Sequence, residues 1–257
     1  MIARPLNPTI EQIREVSQPV SVTGRSNSEH WIADLYLRSI SPYITRIFLK
    51  TPITANGVTY LMIITGISIG LALLIPGTTG LILALIFSQL QMLWDCCDGE
   101  IARWRQTQSP KGIFLDRLGH YFTEGFIPIA LALRLNGWPE NTITDYKILF
   151  LSSVISILII FNKSCNDIVH VARTFSGLDK LVDSTEVGAP RSVFLNHIRK
   201  PFRVFAVQRL FHSVEMTIII CIFSAQEFLI IIGFYVLILV TAGHVILILN
   251  SHKLTKV

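Results

Sequence analysis

The sequence predicts an all-α, integral-membrane bundle of six transmembrane helices behind an N-terminal interfacial helix. Three observations carry that reading. The chain of 257 residues is 51% hydrophobic and 15% charged, and its mean hydropathy is +0.55. Its apolar segments are long enough to cross the roughly 30 Å of bilayer hydrocarbon. Its Lys and Arg residues gather in alternate connections, as the positive-inside rule requires of a polytopic protein.

Residues 1–28 are polar and contain Pro5, Pro8, Pro19 and a GRSNS stretch. They are expected to form a mobile or loosely docked tail. Residues 29–50 mix aromatic and aliphatic side chains with Arg38 and Arg46. This pattern suits an amphipathic helix in the membrane interface, broken near Pro42, and equally one packed on the bundle. The remaining residues, 51–257, form the membrane domain. Its spans are expected at about 57–76, 79–102, 112–135, 146–170, 204–224 and 227–250. Pro76-Gly77 ends the first and Asn136-Gly137-Trp138-Pro139 the third; Ser224-Ala225-Gln226 joins the last two. A long polar segment, 173–203, separates the fourth span from the fifth and contains Gly188, Pro190 and Pro201.

The basic residues fix the expected orientation. Arg38, Arg46 and Lys50 precede the first span, and Arg103, Arg105 and Lys111 lie between the second and third. Lys180, Arg191, Arg199, Lys200 and Arg203 follow the fourth, and Lys253 and Lys256 follow the sixth. All four groups fall on one side when both termini are cytoplasmic. The formal charge of +5 is thereby explained by topology and anionic headgroups, and nucleic acid is excluded as a partner, because no basic stretch is continuous. Cys96, Cys97, Cys165 and Cys221 have no zinc-site spacing and read as packing residues. The N-terminal stretch lacks the apolar core of a signal peptide.

Function is concentrated in residues 93–125, LWDCCDGEIARWRQTQSPKGIFLDRLGHYFTEG. Asp95, Asp98 and Glu100 end one apolar helix, and Asp116 and Glu124 belong to the next. A charge at bilayer depth costs about 2.5–3.5 kcal/mol on insertion scales, so this cluster needs a function. Asp95 and Asp98 are spaced i, i+3, and Asp116, His120 and Glu124 are spaced i, i+4, so each set lines one helix face. Two such faces turned together make an oxygen-rich pocket suited to a hard divalent cation.

Read as a pattern, the stretch is Asp95-x-x-Asp98-Gly99-x-x-Ala102-Arg103, then Gly112-x-x-x-Asp116-x-x-x-His120. It resembles the signature of the CDP-alcohol phosphotransferases, differing only where His120 replaces the last aspartate. The resemblance implies a membrane enzyme that moves a substituted phosphate from a CDP-alcohol, such as CDP-diacylglycerol, to an acceptor hydroxyl and releases CMP. It implies that Asp95, Asp98 and Asp116 hold two Mg²⁺ or Mn²⁺ ions. Gly99, Ala102 and Gly112 would let the nucleotide approach the helices, with Arg103 supporting the site. The lead-in TPITANGVT also resembles the family's, and its Asn56 and Thr59 would help line the cytidine pocket. A homodimer is implied too, with the active site facing the cytoplasm.

In the family the last aspartate is assigned as the base that takes the acceptor's proton. By position that role passes to His120, whose imidazole titrates near neutral pH but is a poorer Mg²⁺ ligand than a carboxylate. Two alternatives stand beside it: Glu124, one turn further along, acts as base, or the site has lost or changed its chemistry. In the fourth span Asn162, Asn166, His170 and Arg173 share one face, either as an acceptor pocket or as the helix emerging from the membrane. Arg191, Arg199 and Lys200 would suit an acceptor phosphate, or simply a positive-inside loop. His212 and Glu215 either line the cavity or pair within the bundle, whereas His197, His244 and His252 read as structural or surface residues. The functional alternative is a non-catalytic membrane protein that keeps nucleotide and metal binding; a transporter is the more distant one. The donor alcohol and the acceptor are not legible.

Overall fold

The computed structural model describes residues 4–5, 7–19, 22, 33–179, 181 and 210–255. Regular structure among them is helical, with no strand. The chain runs α1 (Ile10–Ser17), a π turn (Ala33–Leu37), α2 (Arg38–Leu49), α3 (Ala55–Leu73), α4 (Gly77–Arg105) and α5 (Pro110–Leu135). It continues through α6 (Tyr146–Phe175), α7 (Ser213–Ile222), α8 (Gln226–Leu249) and a short 3₁₀ turn (His252–Leu254).

Local chemistry sets the boundaries that matter for the site. Thr54 caps α3, its side chain accepting from the Gly57 backbone N–H at 3.0 Å. The α3–α4 turn passes through Gly77 at φ +73°, a left-handed conformation that glycine adopts without penalty. Helix α4 stops at Gln106, itself at φ +56°, and Ser109 with Pro110 opens α5. Ser109 Oγ accepts from the Gly112 N–H at 3.1 Å. The end of α4 and the start of α5 are thus joined by a short, capped turn that holds the two acidic faces together.

Helices α3, α4, α6 and α8 are long and apolar enough to cross a membrane, which makes this a multi-pass membrane protein. Large apolar side chains such as Ile64, Leu71, Ile82, Phe150, Ile157 and Leu239 are exposed, as lipid-facing groups would be. The other two expected spans differ in kind. Helix α5 has the length but carries Lys111, Asp116, Arg117, Glu124 and Arg134. Helix α7 has 10 residues; residues 204–209 of the span expected there lie outside the described residues.

Helix α3 packs on α4 and α5, α5 on α6, and α6 on α8. The α3–α5 contact is close because Gly66 faces Thr123: a Cβ at Gly66 would lie 1.9 Å from Thr123 Oγ1. The main apolar core, with Ile69, Leu73, Ile127, Leu131, Ile155 and Ile230, fills one half of the bundle. A smaller one, with Val58, Cys97, Ile101, Trp104 and Ile13, closes the other half. All four cysteines are free thiols.

The N-terminal region departs from expectation. Within the stretch expected to be mobile or loosely docked, residues 10–17 form a helix with a complete capping box at Thr9 and Gln12. Its Ile13 is fully buried. Arg4 donates to the backbone carbonyls of Arg103 and Trp104 and stacks over the Trp104 ring at 5.5 Å. Arg103 Nε donates to the Ser17 carbonyl at 2.7 Å. Composition missed this because a few long-range contacts, rather than an apolar run, dock the segment. Helix α2 is also unbroken at Pro42, its fifth residue; the irregular hydrogen bonding lies one turn earlier, in the π turn. Residues 1–3, 6, 20–21 and 23–28, residues 29–32 of the expected interfacial helix, and Lys180, Gly188, Pro190, Arg191, His197, Arg199, Lys200, Pro201, Arg203 and Lys256 lie outside the described residues.

Candidate metal centre

Asp95 near the end of α4 and Asp116 and His120 on α5 converge. Their candidate ligand atoms all lie within 4.8 Å of one another. His120 Nε2 is 3.2 Å from Asp95 Oδ1 and 3.6 Å from Asp116 Oδ1. The Asp116 side chain is 38% exposed, whereas that of His120 is 7% exposed. The imidazole therefore forms the floor of the centre and Asp116 its open side. Two carboxylates and an imidazole nitrogen are a donor set that divalent cations accept, so the residues present fit the expected metal.

Asp98 is not one of the three converging residues, although it neighbours Asp95 and Asp116. Its Oδ2 accepts the Thr59 hydroxyl at 2.6 Å, which ties α4 to α3. Thr59 and Asn56 are nevertheless where the lead-in was expected to meet the signature. A Cβ on Gly112 would lie 3.2 Å from Asn56 Oδ1, so Asn56 borders the start of α5. At Gly99 a Cβ would lie 3.0 Å from the Arg103 guanidinium, which lies along α4 and reaches the N-terminal segment. Ala102 is half-buried on the same turn of helix, where its backbone carbonyl ends α4.

Two glutamates of the stretch point elsewhere. Glu100 is buried and accepts from Gln18 Nε2 at 2.7 Å, Ser41 Oγ at 2.5 Å and Thr45 Oγ1 at 2.6 Å. It anchors the N-terminal region and α2 to α4. Glu124 is fully buried, with its Oε1 2.7 Å from Lys163 Nζ, 3.2 Å from His212 Nδ1 and 3.6 Å from His120 Nδ1. A single carboxylate oxygen thus joins α5, α6 and α7 directly behind the imidazole.

The polar face of α6 divides. Asn162 bonds Thr241 and His244 of α8, and Arg173 donates to the Asp179 and Lys253 carbonyls. The side chains turned towards α5 are instead Lys163, on Glu124, and Asp167, which accepts from Tyr121 Oη at 2.5 Å and lies 3.8 Å from Arg117 Nε. His212, expected to line the cavity or pair within the bundle, pairs with Glu124, and Lys163 on the polar stretch of α6 joins it there. The signal available was that each is a basic group in an apolar run.

The fold and the site define an integral-membrane protein with a candidate metal centre of two carboxylates and an imidazole among its helices. The chain matches the CDP-alcohol phosphatidyltransferase family over residues 52–253 and belongs to it. Membership implies a transferase of phosphate groups acting on a CDP-alcohol and a hydroxyl acceptor, in a family generally dependent on divalent metal. Comparison with curated proteins gives no significant match.

Proposed function

We propose that this protein is a metal-dependent CDP-alcohol phosphotransferase of phospholipid or polyol-phosphate diester synthesis. The observation that carries the reading is the convergence of Asp95 of α4 with Asp116 and His120 of α5. In the reaction the acceptor oxygen bonds to the β-phosphorus of the donor. The bond from that phosphorus to the bridging oxygen breaks, CMP departs and the hydroxyl proton is lost. Asp95 and Asp116, with Asp98 at the next turn of α4, would hold a divalent cation, which supplies charge neutralisation and orientation at the diphosphate. Thr59 fixes the Asp98 carboxylate, while Gly99, Ala102 and Gly112 keep the helix surface low where the nucleotide lies, beside Asn56 and Arg103.

We further read the bundle as six-spanning, with α5 and α7 completing the set, and its polar end and termini as cytoplasmic, since Arg103, Arg105, Lys111 and Arg173 all lie at that end. Helix α5 is read as crossing because Glu124, its deepest acidic group, is paired inside the bundle and Arg134 donates to the backbone carbonyls of the α3–α4 turn.

The ring geometry limits which group takes that proton. An imidazole nitrogen has a single lone pair, so His120 Nε2 takes a proton or holds a cation, whereas the two oxygens of a carboxylate can do both. The pairing of Glu124 with Lys163 and His212 argues against Glu124 as the base. The test is CMP release from CDP-diacylglycerol by the purified protein in Mg²⁺ or Mn²⁺, with a panel of polyol and polyol-phosphate acceptors. Acceptor-dependent CMP is the expected result. Bound donor with no CMP for any acceptor or donor alcohol would instead support the non-catalytic alternative.

A further inference from the structure

We propose that His120 is a metal ligand, and that it turns this centre from an all-oxygen site into a nitrogen-containing one that favours first-row transition ions over Mg²⁺, with Mn²⁺ the ion used to read it. The proposal rests on the reading above that Asp95 and Asp116 hold a cation. Its own support is the placement of the two ring nitrogens. Nε2 faces Asp95 Oδ1 at 3.2 Å and Asp116 Oδ1 at 3.6 Å. Nδ1 faces Glu124 Oε1 at 3.6 Å on the opposite side. A metal-bound histidine characteristically directs its other ring N–H to a carboxylate, which fixes the tautomer and raises the basicity of the ligating nitrogen. Glu124 is the carboxylate on the Nδ1 side of the ring, 3.6 Å away, and it is held there by Lys163 and His212.

In the tautomer that carries its proton on Nδ1, the Nε2 lone pair is on the side of the two carboxylate oxygens, where it can bind a cation. Mg²⁺ prefers oxygen ligands in octahedral geometry, whereas imidazole nitrogen suits the transition ions. Replacing a carboxylate by imidazole also removes one negative charge, which weakens purely electrostatic Mg²⁺ binding most.

The experiment uses the full chain in detergent with CMP present and reads metal binding rather than turnover. Mn²⁺ is bound to the wild type and to His120→Asp, which carries the family's usual residue. Pulsed electron paramagnetic resonance then reports whether ¹⁴N is coupled to the bound ion, and Mg²⁺ is titrated in competition. The expected result is nitrogen coupling in the wild type that is lost in His120→Asp, with the preference for Mn²⁺ over Mg²⁺ falling by about tenfold or more in the variant. Glu124→Gln should retain the nitrogen coupling but weaken Mn²⁺ by about 10–100-fold. Bound Mn²⁺ without nitrogen coupling, displaced equally well by Mg²⁺ from both proteins, would overturn the ligand assignment and leave the phosphotransferase reading standing. Absence of Mn²⁺ from both proteins would overturn the metal centre as well.

Discussion

Four acidic residues of one stretch, Glu100 and Glu124 against Asp95 and Asp116, meet opposite surroundings. Glu100 is enclosed by three donors from the N-terminal region and α2, and Glu124 by Lys163, His212 and His120. Both are buried, and both join helices. Asp95 and Asp116 instead lean on one shared imidazole and remain partly open, at 23% and 38% exposure. Buried carboxylates surrounded by donors are structural. Carboxylates that converge and stay partly open offer their oxygens to a cation. Sequence spacing alone cannot separate these cases, because Asp95 and Glu100 lie little more than one helical turn apart.

Substitutions can break this comparison, and the largest effect belongs to the open pair. Asp116→Asn should lower the rate of CMP release by about 10²–10³-fold or more, the scale of a lost electrostatic group at a reacting phosphate. Glu100→Gln should leave the rate per folded molecule nearly unchanged. Equal losses in both would erase the distinction. Next comes Glu124→Ala, which strands Lys163 in the bundle and should destabilise the protein by about 3–5 kcal/mol in detergent unfolding. Combining Glu124→Leu with Lys163→Met should recover much of that loss, since no buried charge is then left alone.

Smaller effects are expected at the N-terminal anchor. Glu100→Gln leaves several donors facing an amide and should cost about 1–3 kcal/mol, seen as faster tryptic cleavage at Arg14. Thr9→Ala removes the cap of α1 and should cost about 1 kcal/mol, read by the same cleavage. Cleavage that does not change in either variant would mean that α1 is not held through these contacts.

Much of the architecture was legible because apolar length and turn residues are local signals. The observed helices 55–73, 77–105, 110–135, 146–175 and 226–249 lie within a few residues of the expected spans. The short turn at Pro76-Gly77 and the stop before Gly137 followed from backbone chemistry that single residues dictate. The N-terminal helix was not legible, since Arg4, Gln18 and Glu100 are too far apart in sequence to announce their contacts. In the centre, helical spacing correctly placed Asp116, His120 and Glu124 on one face. It could not show that Asp98 turns to Thr59 while Asp95 turns to His120, because a spacing of three leaves both side chains on one broad surface. Nor could it pair Glu124 with Lys163 and His212, which requires three helices to be packed together.

The central claim is that transfer depends on a cation held by Asp95, Asp116 and His120. It is tested most directly by measuring Mn²⁺ binding and acceptor-dependent CMP release on the same preparations of wild type and Asp95→Asn. The account predicts that the wild type binds Mn²⁺ and releases CMP, that a chelator abolishes release and added Mn²⁺ restores it, and that Asp95→Asn loses both properties together. CMP release that persists in Asp95→Asn, or in the wild type after chelation, would contradict it.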